Sequence, residues 1–406
     1  MDARLIAVLG LAACGLNQSG NVASTELGDV SRTAERGSPI ETLVSACGAG
    51  ARTIAGRQIR RTPYLQNVTP TSGVVGWVTT GGGETVTVTT VDGTPVQAAA
   101  GRSEVAVTRT ANEQQVWAEL TGLQPDTVYC YEVTDGAERL IERAGVRTAP
   151  TADAQRVRVL AFGDSGGGGS DQHALASWMR AFPYDVIIHT GDVAYDDGTI
   201  AELEDNVFGV YADLFRHVPF FPAAGNHDHR TLRGAPFRDV FSLPGAPGET
   251  WYAFDWGPVH FVALDTEADY ATQVRWLDED LARSTAPWTI VYLHRPPYSS
   301  GNHGSDTALR AHLAPVVERH DVQLVLAGHD HDYERMKPQN GVAYVVTGGG
   351  GRGTYPVGTS AFTAFSTEVI HFVLLDIGPD ELVLYAVDAT GKTFDSLVVP
   401  RAQAAR

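Results

Sequence analysis

Arg156-Val157-Arg158-Val159-Leu160-Ala161-Phe162-Gly163-Asp164-Ser165-Gly166-Gly167-Gly168-Gly169 decides how the chain is read. An apolar run of strand length stops abruptly on a Gly-Asp pair and a glycine-rich turn. A helix-like stretch over 171–182 follows. A second apolar run, Asp185-Val186-Ile187-Ile188-His189-Thr190, then ends on Gly191-Asp192. Strand, polar turn, helix, strand is the order of a mainly parallel sheet covered by helices. The alternation continues downstream. A helix is expected over 201–217, where Leu203, Val207, Val210, Tyr211 and Leu214 recur at three- to four-residue spacing. Strands are expected over 259–264, 289–293, 322–326 and 342–346, and amphipathic helices over 273–284 and 307–319. The stretches 369–376, 382–387 and 396–399 read as an antiparallel meander closing a second sheet. The fold class expected for 151–400 is α/β, a sandwich of two packed sheets.

Upstream the texture changes. Val74-Val75-Gly76-Trp77-Val78-Thr79, Glu84-Thr85-Val86-Thr87-Val88-Thr89 and Gln115-Val116-Trp117-Ala118-Glu119-Leu120 alternate with the strand period of two. Gly81-Gly82-Gly83, Asp92-Gly93 and Gln124-Pro125-Asp126 supply turns between them. Short strands at this spacing predict a small all-β sandwich over 58–150. Leu123-Gln124-Pro125-Asp126-Thr127-Val128-Tyr129-Cys130-Tyr131 resembles the tyrosine corner of fibronectin type III domains, with Tyr129 at the corner.

The 406 residues, 43% hydrophobic and 19% charged, suffice for two to three domains with sizeable cores. A formal charge of −18 argues against wrapping around nucleic acid. Arg4 precedes the short apolar run Leu5-Ile6-Ala7-Val8-Leu9-Gly10-Leu11-Ala12-Ala13, which fits the core of an export signal and not a membrane span. Leu11-Ala12-Ala13-Cys14 resembles the bacterial lipobox, which implies a lipoprotein-type segment over 1–14, an acylated Cys14 and membrane attachment outside the cytoplasm; an ordinary secretory signal is the alternative. Residues 15–57, rich in Gly, Ser, Thr and Ala, read as a tether, at least up to Cys47. Cys47 and Cys130 then remain as a pair that either forms a disulfide or stays as two buried thiols, and the sequence leaves both open.

Polar clusters begin where the expected strands stop: Gly163-Asp164, Gly191-Asp192-Val193-Ala194-Tyr195, Gly225-Asn226-His227-Asp228, His294, and Gly328-His329-Asp330-His331. Ligands of α/β sheets bind at the carboxyl ends of strands, so these five loops are expected to share one crevice. Singly, each pair is an ordinary turn or a buried histidine; their convergence carries the reading. Asp164, Asp192, Tyr195, Asn226, His294, His329 and His331 offer mixed oxygen and imidazole donors suited to first-row metals. The set exceeds one ion's needs and fills two sites if one carboxylate bridges. The glycines before Asp164, Asp192, Asn226 and His329 allow the backbone a tight turn off each strand. The run Thr347-Gly348-Gly349-Gly350-Gly351-Arg352 lacks the Lys and Ser/Thr of a phosphate loop and reads as a site of close packing. His173, His189, His260, His312, His320 and His371 read as structural.

The order of the five blocks resembles the calcineurin-like metallophosphoesterases. Tyr195, three residues after Asp192, and the opening Pro63-Tyr64-Leu65-Gln66-Asn67-Val68-Thr69-Pro70 resemble the purple acid phosphatases. The resemblance implies a two-sheet metallophosphoesterase domain behind a fibronectin-like one. It implies Fe(III) held by Asp164, Asp192, Tyr195 and His331, and a divalent iron, zinc or manganese held by Asp192, Asn226, His294 and His329. It implies hydrolysis of phosphate monoesters by a metal-bound hydroxide, with His227 and His303 contacting phosphate and protonating the leaving group. The family's plant members often carry two adjacent histidines at the latter place, whereas Gly304 follows His303 here. A phosphodiesterase using the same centre is the alternative. Asp228, His229, Asp330 and Asp332 are weighed as orienters of the ligands against surface charges.

Overall fold

The computed structural model describes residues 38–104, 112–245 and 250–401. The segment expected to be an export signal, with Cys14, lies outside the described residues.

Eight strands form the first unit: β1 Ile59–Gln66, β2 Gly73–Thr79, β3 Thr85–Thr90, β4 Pro95–Ala100, β5 Arg102–Glu104, β6 Gln114–Leu120, β7 Val128–Asp135 and β8 Glu138–Arg147. They make two four-stranded sheets, ordered β1-β2-β6-β5 and β4-β3-β7-β8, with all neighbours antiparallel. Val86 and Val88 point into the sandwich while Thr85, Thr87 and Thr89 beside them are half-buried, the outcome of a period-two pattern. Tyr129 occupies the corner, its hydroxyl oxygen accepting the Gln124 N–H at 3.0 Å. β2 departs from simple alternation and is buried on nearly every residue. The reason is tertiary: Tyr64, Val74 and Trp117 pack into the core beneath the helices of the second unit.

The tether reading fails from Ser38 onward. Pro39–Cys47 is a helix, capped by Ser38, whose side chain accepts the Glu41 N–H. Ile40, Leu43 and Cys47 form its buried stripe. Cys47 is bonded to Cys130 on β7, and Ala49 and Arg52 bridge to Ala144 and Ile141 of β8. Three apolar contacts in so small-residue a stretch are too sparse to register as periodicity, and the disulfide supplies the rest.

The second unit holds two mixed sheets. Its strands are β9 Val157–Phe162, β10 Val186–His189, β11 Phe220–Pro222, β12 Tyr252–Trp256, β13 Val259–Ala263, β14 Trp288–Leu293, β15 Leu324–Ala327, β16 Tyr333–Met336, β17 Ala343–Thr347, β18 Thr363–Thr367, β19 His371–Ile377, β20 Glu381–Asp388 and β21 Thr393–Pro400. One sheet runs β11-β10-β9-β19-β20-β21, the other β12-β13-β14-β15-β17-β16-β18. Within β9, Val159 and Ala161 face the second sheet, whereas Leu160 and Phe162 face Ser170–Met179 and the helical stretch 200–215. Helices Tyr270–Arg283 and Thr307–Arg319 cover the outer face of the second sheet. The result is four layers, helix–sheet–sheet–helix. The meander β19–β21 pairs antiparallel with β9 and so extends the first sheet instead of closing the second. Periodicity marks these strands but does not encode their partner.

The two units are joined by directional contacts. Arg61, buried on β1, makes a two-pronged ion pair with Glu204 (2.5 and 3.1 Å) and lies over the Phe208 ring. Tyr64 donates to the Val240 carbonyl and Tyr131 to that of Arg216, both at 2.7 Å. Among the described residues no helix is long and apolar enough to cross a membrane.

Candidate metal centre

β9, β10 and β11 of one sheet and β14 and β15 of the other end at the same edge of the sandwich. Asp164 follows β9, Asp192 and Tyr195 follow β10, Asn226 follows β11, His294 follows β14, and His329 and His331 follow β15. All seven side chains meet. The Tyr195 hydroxyl lies 2.9 Å from Asp164 Oδ1, 2.9 Å from Asp192 Oδ2 and 3.1 Å from His331 Nε2. His294 Nε2 lies 3.1 Å from Asn226 Oδ1, 3.3 Å from Asp192 Oδ2 and 3.2 Å from His329 Nδ1. The two groups share one atom, Asp192 Oδ2.

Backbone conformation explains how the loops converge. Asp164, Asp192 and His329 have φ of 59°, 53° and 72°, left-handed values that non-glycine residues take at some cost. The preceding glycines leave no room for a side chain. A Cβ on Gly225 would lie 2.3 Å from Asp192 Oδ1, and one on Gly328 would lie 2.4 Å from Asp164 Oδ2. In the later glycine run a Cβ on Gly350 would lie 2.1 Å from the Gly163 carbonyl, so that run packs against the Asp164 turn. Two carboxylates also stitch loops together. Asp164 Oδ2 accepts the His329 N–H at 2.9 Å, linking the two sheets. Asp192 Oδ1 accepts the His227 N–H at 2.8 Å.

The donor set fits cations. His294 donates Nδ1–H to the Thr190 carbonyl at 3.0 Å, which leaves a lone pair on Nε2 facing an amide oxygen and a carboxylate. Lone pairs brought together in a buried pocket require positive charge among them. The same demand shows in the titration of the group. Burial pulls the His294 imidazole down, but Asp192 and Asp164 reverse this and push it up to about 10. Burial and the nearby His294, His303 and Arg295 push His329 down to about 2. Burial, with Asp164 and Asp192 adding to it, raises the Tyr195 phenol well above its ordinary value. Asp192, His294 and His329 offer buried ligand atoms all within 4.8 Å of one another.

His227 and His303 flank this cluster. The ring of His227 lies 4.3 Å from that of Tyr195, with its Nε2 3.9 Å from Asp192 Oδ2. The ring of His303 lies 4.2 Å from that of His329. Beside it opens a cavity of about 230 Å³, lined by Arg295, Pro296, His303, Gly304, Asp306 and His329 among others.

The structure decides the residues weighed as orienters against surface charges and adds others around them. Asp228 is no surface charge: it is 1% exposed and accepts the N–H groups of Val193, Ala194 and Gly225, clamping the Asp192 loop to the Asn226 loop. Burial and Asp192 push its carboxyl up to about 7. His229 is hydrogen-bonded to the buried Asp265 at 3.0 Å, and Asp330 and Asp332 are fully buried. Arg230 Nη2 lies 3.3 Å from His227 Nε2, Arg295 Nη1 lies 3.3 Å from His329 Nε2, and Arg352 sits over the Tyr195 ring while pairing with Asp196. Tyr355 stacks on His331. Nearness in sequence to a ligand marks Asp228, Arg295, Asp330 and Asp332 without saying which way each turns; Arg230 and Tyr355 carry no such signal.

Residues 157–333 match the calcineurin-like phosphoesterase family, and residues 60–150 match the purple acid phosphatase N-terminal domain. Acid phosphatase type 7 of Mus musculus is 28% identical over 255 residues, 54% of this chain and 56% of that one. The Homo sapiens protein of the same name is 30% identical over 45% of this chain and 48% of its own length. The chain thus spans about half the length of these curated relatives. A nucleotide pyrophosphatase/phosphodiesterase of Hordeum vulgare is 27% identical over 60% of this chain and 83% of its own. The purple acid phosphatase PPD1 from yellow lupin (Lupinus luteus) seeds shares the fold, with a TM-score of 0.75 at 20% identity, covering 84% of this chain and 74% of that one. The chain thus carries, in order, a purple acid phosphatase N-terminal domain and a calcineurin-like phosphoesterase domain, the second of which bears the donor set at its sheet edge.

Proposed function

We propose that this protein hydrolyses phosphate monoesters at a dinuclear metal centre. The observation that carries the reading is the position of Asp192 Oδ2, common to both donor groups. Asp164, Asp192, Tyr195 and His331 would hold Fe(III), and Asp192, Asn226, His294 and His329 a divalent iron, zinc or manganese ion. Bound there, the pair supplies Lewis acidity toward the ester and a water acidified enough to attack phosphorus. The chain does the rest. Asp192, fixed by the His227 N–H, keeps the two halves in register. Arg230 presents N–H donors to the non-bridging oxygens, where negative charge must be offset, and His227, held through its Nδ1–H by the Asp196 carbonyl, lines the same side. His303 stands on the far side, next to a cavity open to the leaving group, as proton donor.

Tyr195 supports ferric iron at the first site. A phenol already pushed above its ordinary value ionises at neutral pH only against a hard, highly charged cation. Tyr195→Phe is expected to bleach the visible phenolate absorption of the metal-loaded protein while leaving measurable turnover. An unchanged spectrum would remove Tyr195 from the ligand set.

The barley relative favours a second reading, hydrolysis of diesters or phosphoanhydrides by the same centre. Metal analysis with assays on p-nitrophenyl phosphate and its bis ester separates the two: a strong preference for the bis ester would overturn the monoesterase reading. Export, with acylation of Cys14 as its lipoprotein form, is part of the proposal; the Cys47–Cys130 bond is of the kind that persists in oxidising compartments.

A further inference from the structure

Asp330 lies between two of the proposed ligands, His329 and His331, yet turns away from the donor cluster. It is 0% exposed, and its carboxylate is filled by a different loop. Oδ1 accepts the His303 backbone N–H at 2.6 Å and the ring Nδ1–H of His303 at 3.1 Å. Oδ2 accepts the Ser299 hydroxyl and, at 3.2 Å, the Gly304 N–H. The loop closes so tightly here that a Cβ on Gly301 would lie 2.5 Å from the carboxylate carbon. The His303 side chain itself is 39% exposed. An imidazole that open, carried on a loop, would sample several rotamers if only its ring contact with His329 restrained it.

We propose that Asp330 is the positioning residue for His303, fixing its tautomer and ring plane so that Nε2 alone serves the leaving group. The proposal rests on the monoesterase reading above. In the reaction the oxygen of water forms the new bond to phosphorus while the bond to the leaving oxygen breaks. That oxygen departs with the bonding electron pair and takes the Nε2 proton of the His303 imidazolium; the neutral ring left behind keeps its Nδ1–H on Asp330, and solvent later restores the Nε2 proton. Because the strand end that bears His329 and His331 also bears Asp330, the donor keeps a constant offset from the metal ligands.

A proton donor matters in proportion to the basicity of the leaving oxygen. Asp330→Asn in the metal-loaded protein is therefore expected to lower kcat about 10–100-fold on glycerol 2-phosphate, with a loss at least ~10-fold smaller on p-nitrophenyl phosphate, at unchanged metal content. Combined with His303→Ala, it should add no further loss on glycerol 2-phosphate. Equal losses on both esters, or full additivity with His303→Ala, overturn the proposal. If Asp330→Asn does not fold, ¹⁵N-histidine NMR of the zinc-loaded wild type decides instead. A slowly exchanging Nδ1–H, assigned to His303 by its disappearance in His303→Ala, is expected, and its absence overturns the proposal. A wild-type protein that hydrolyses neither ester overturns the monoesterase reading as well, and so is distinguishable from failure of the Asp330 role alone.

Discussion

Asp192→Asn is expected to empty both metal sites and to lower kcat/KM by at least about a thousandfold, since several kcal/mol of transition-state stabilisation leave with the ions. The direction of the new amide decides this. Asp192 Oδ1 is held by the His227 N–H, so an asparagine keeps its carbonyl oxygen there. Its NH₂ group then occupies the place of Oδ2, the atom shared by Tyr195 and His294. Two N–H bonds would point where two cations need a lone pair. Metal analysis of the purified variant beside its rate on p-nitrophenyl phosphate checks the expectation. A variant that retained both ions would show that Asp192 is not the bridge.

Removing the disulfide should cost the most stability. In the loop-entropy account, a bond closing a sequence separation of 83 residues contributes about 4–5 kcal/mol. The Cys47→Ser/Cys130→Ser pair is expected to lower Tm by about 10 °C or more. Ile40 and Leu43 would then be left to hold the helix Pro39–Cys47 on β7 and β8 by burial alone. Turnover should change little at temperatures where the variant stays folded, because the donor cluster is built from residues 164–331 and none of its hydrogen bonds reaches β7. A calorimetric scan compares the two proteins, and an unchanged Tm would mean that the bond adds nothing to the packing of that helix.

The pairing of these cysteines marks a limit of what could be read in advance. Spacing in a chain says nothing about which thiols come within bonding distance, and the tether-like composition around Cys47 concealed a helix with a sparse buried stripe. Asp228 and Asp330 mark another. Each looked as much like a surface charge as an orienter, because burial of a carboxylate is set by what folds over it. Two backbone N–H groups from the Asp192 loop and one from its own loop hold Asp228, and the Ser299–Gly304 loop buries Asp330.

Much else was local and therefore legible. Period-two runs marked the strands of both units, three- to four-residue spacing marked the helix Thr307–Arg319 to its ends, and Gln124-Pro125-Asp126 announced the corner that Tyr129 closes. The Gly-Asp, Gly-Asn and Gly-His steps identified strand ends where a Cβ would strike a neighbouring loop, and the identity of the donors pointed to first-row metals. These follow from the sequence because backbone preference and donor chemistry belong to a residue and its nearest neighbours. Only the tertiary structure decided that the meander pairs with β9, that Cys47 finds Cys130, that Asp192 turns a single oxygen toward both donor groups, and that arginines 230, 295 and 352 stand around the crevice. Strand partners, burial and the direction of a side chain depend on residues far away in the chain, whose arrangement is settled by the packing of the whole molecule.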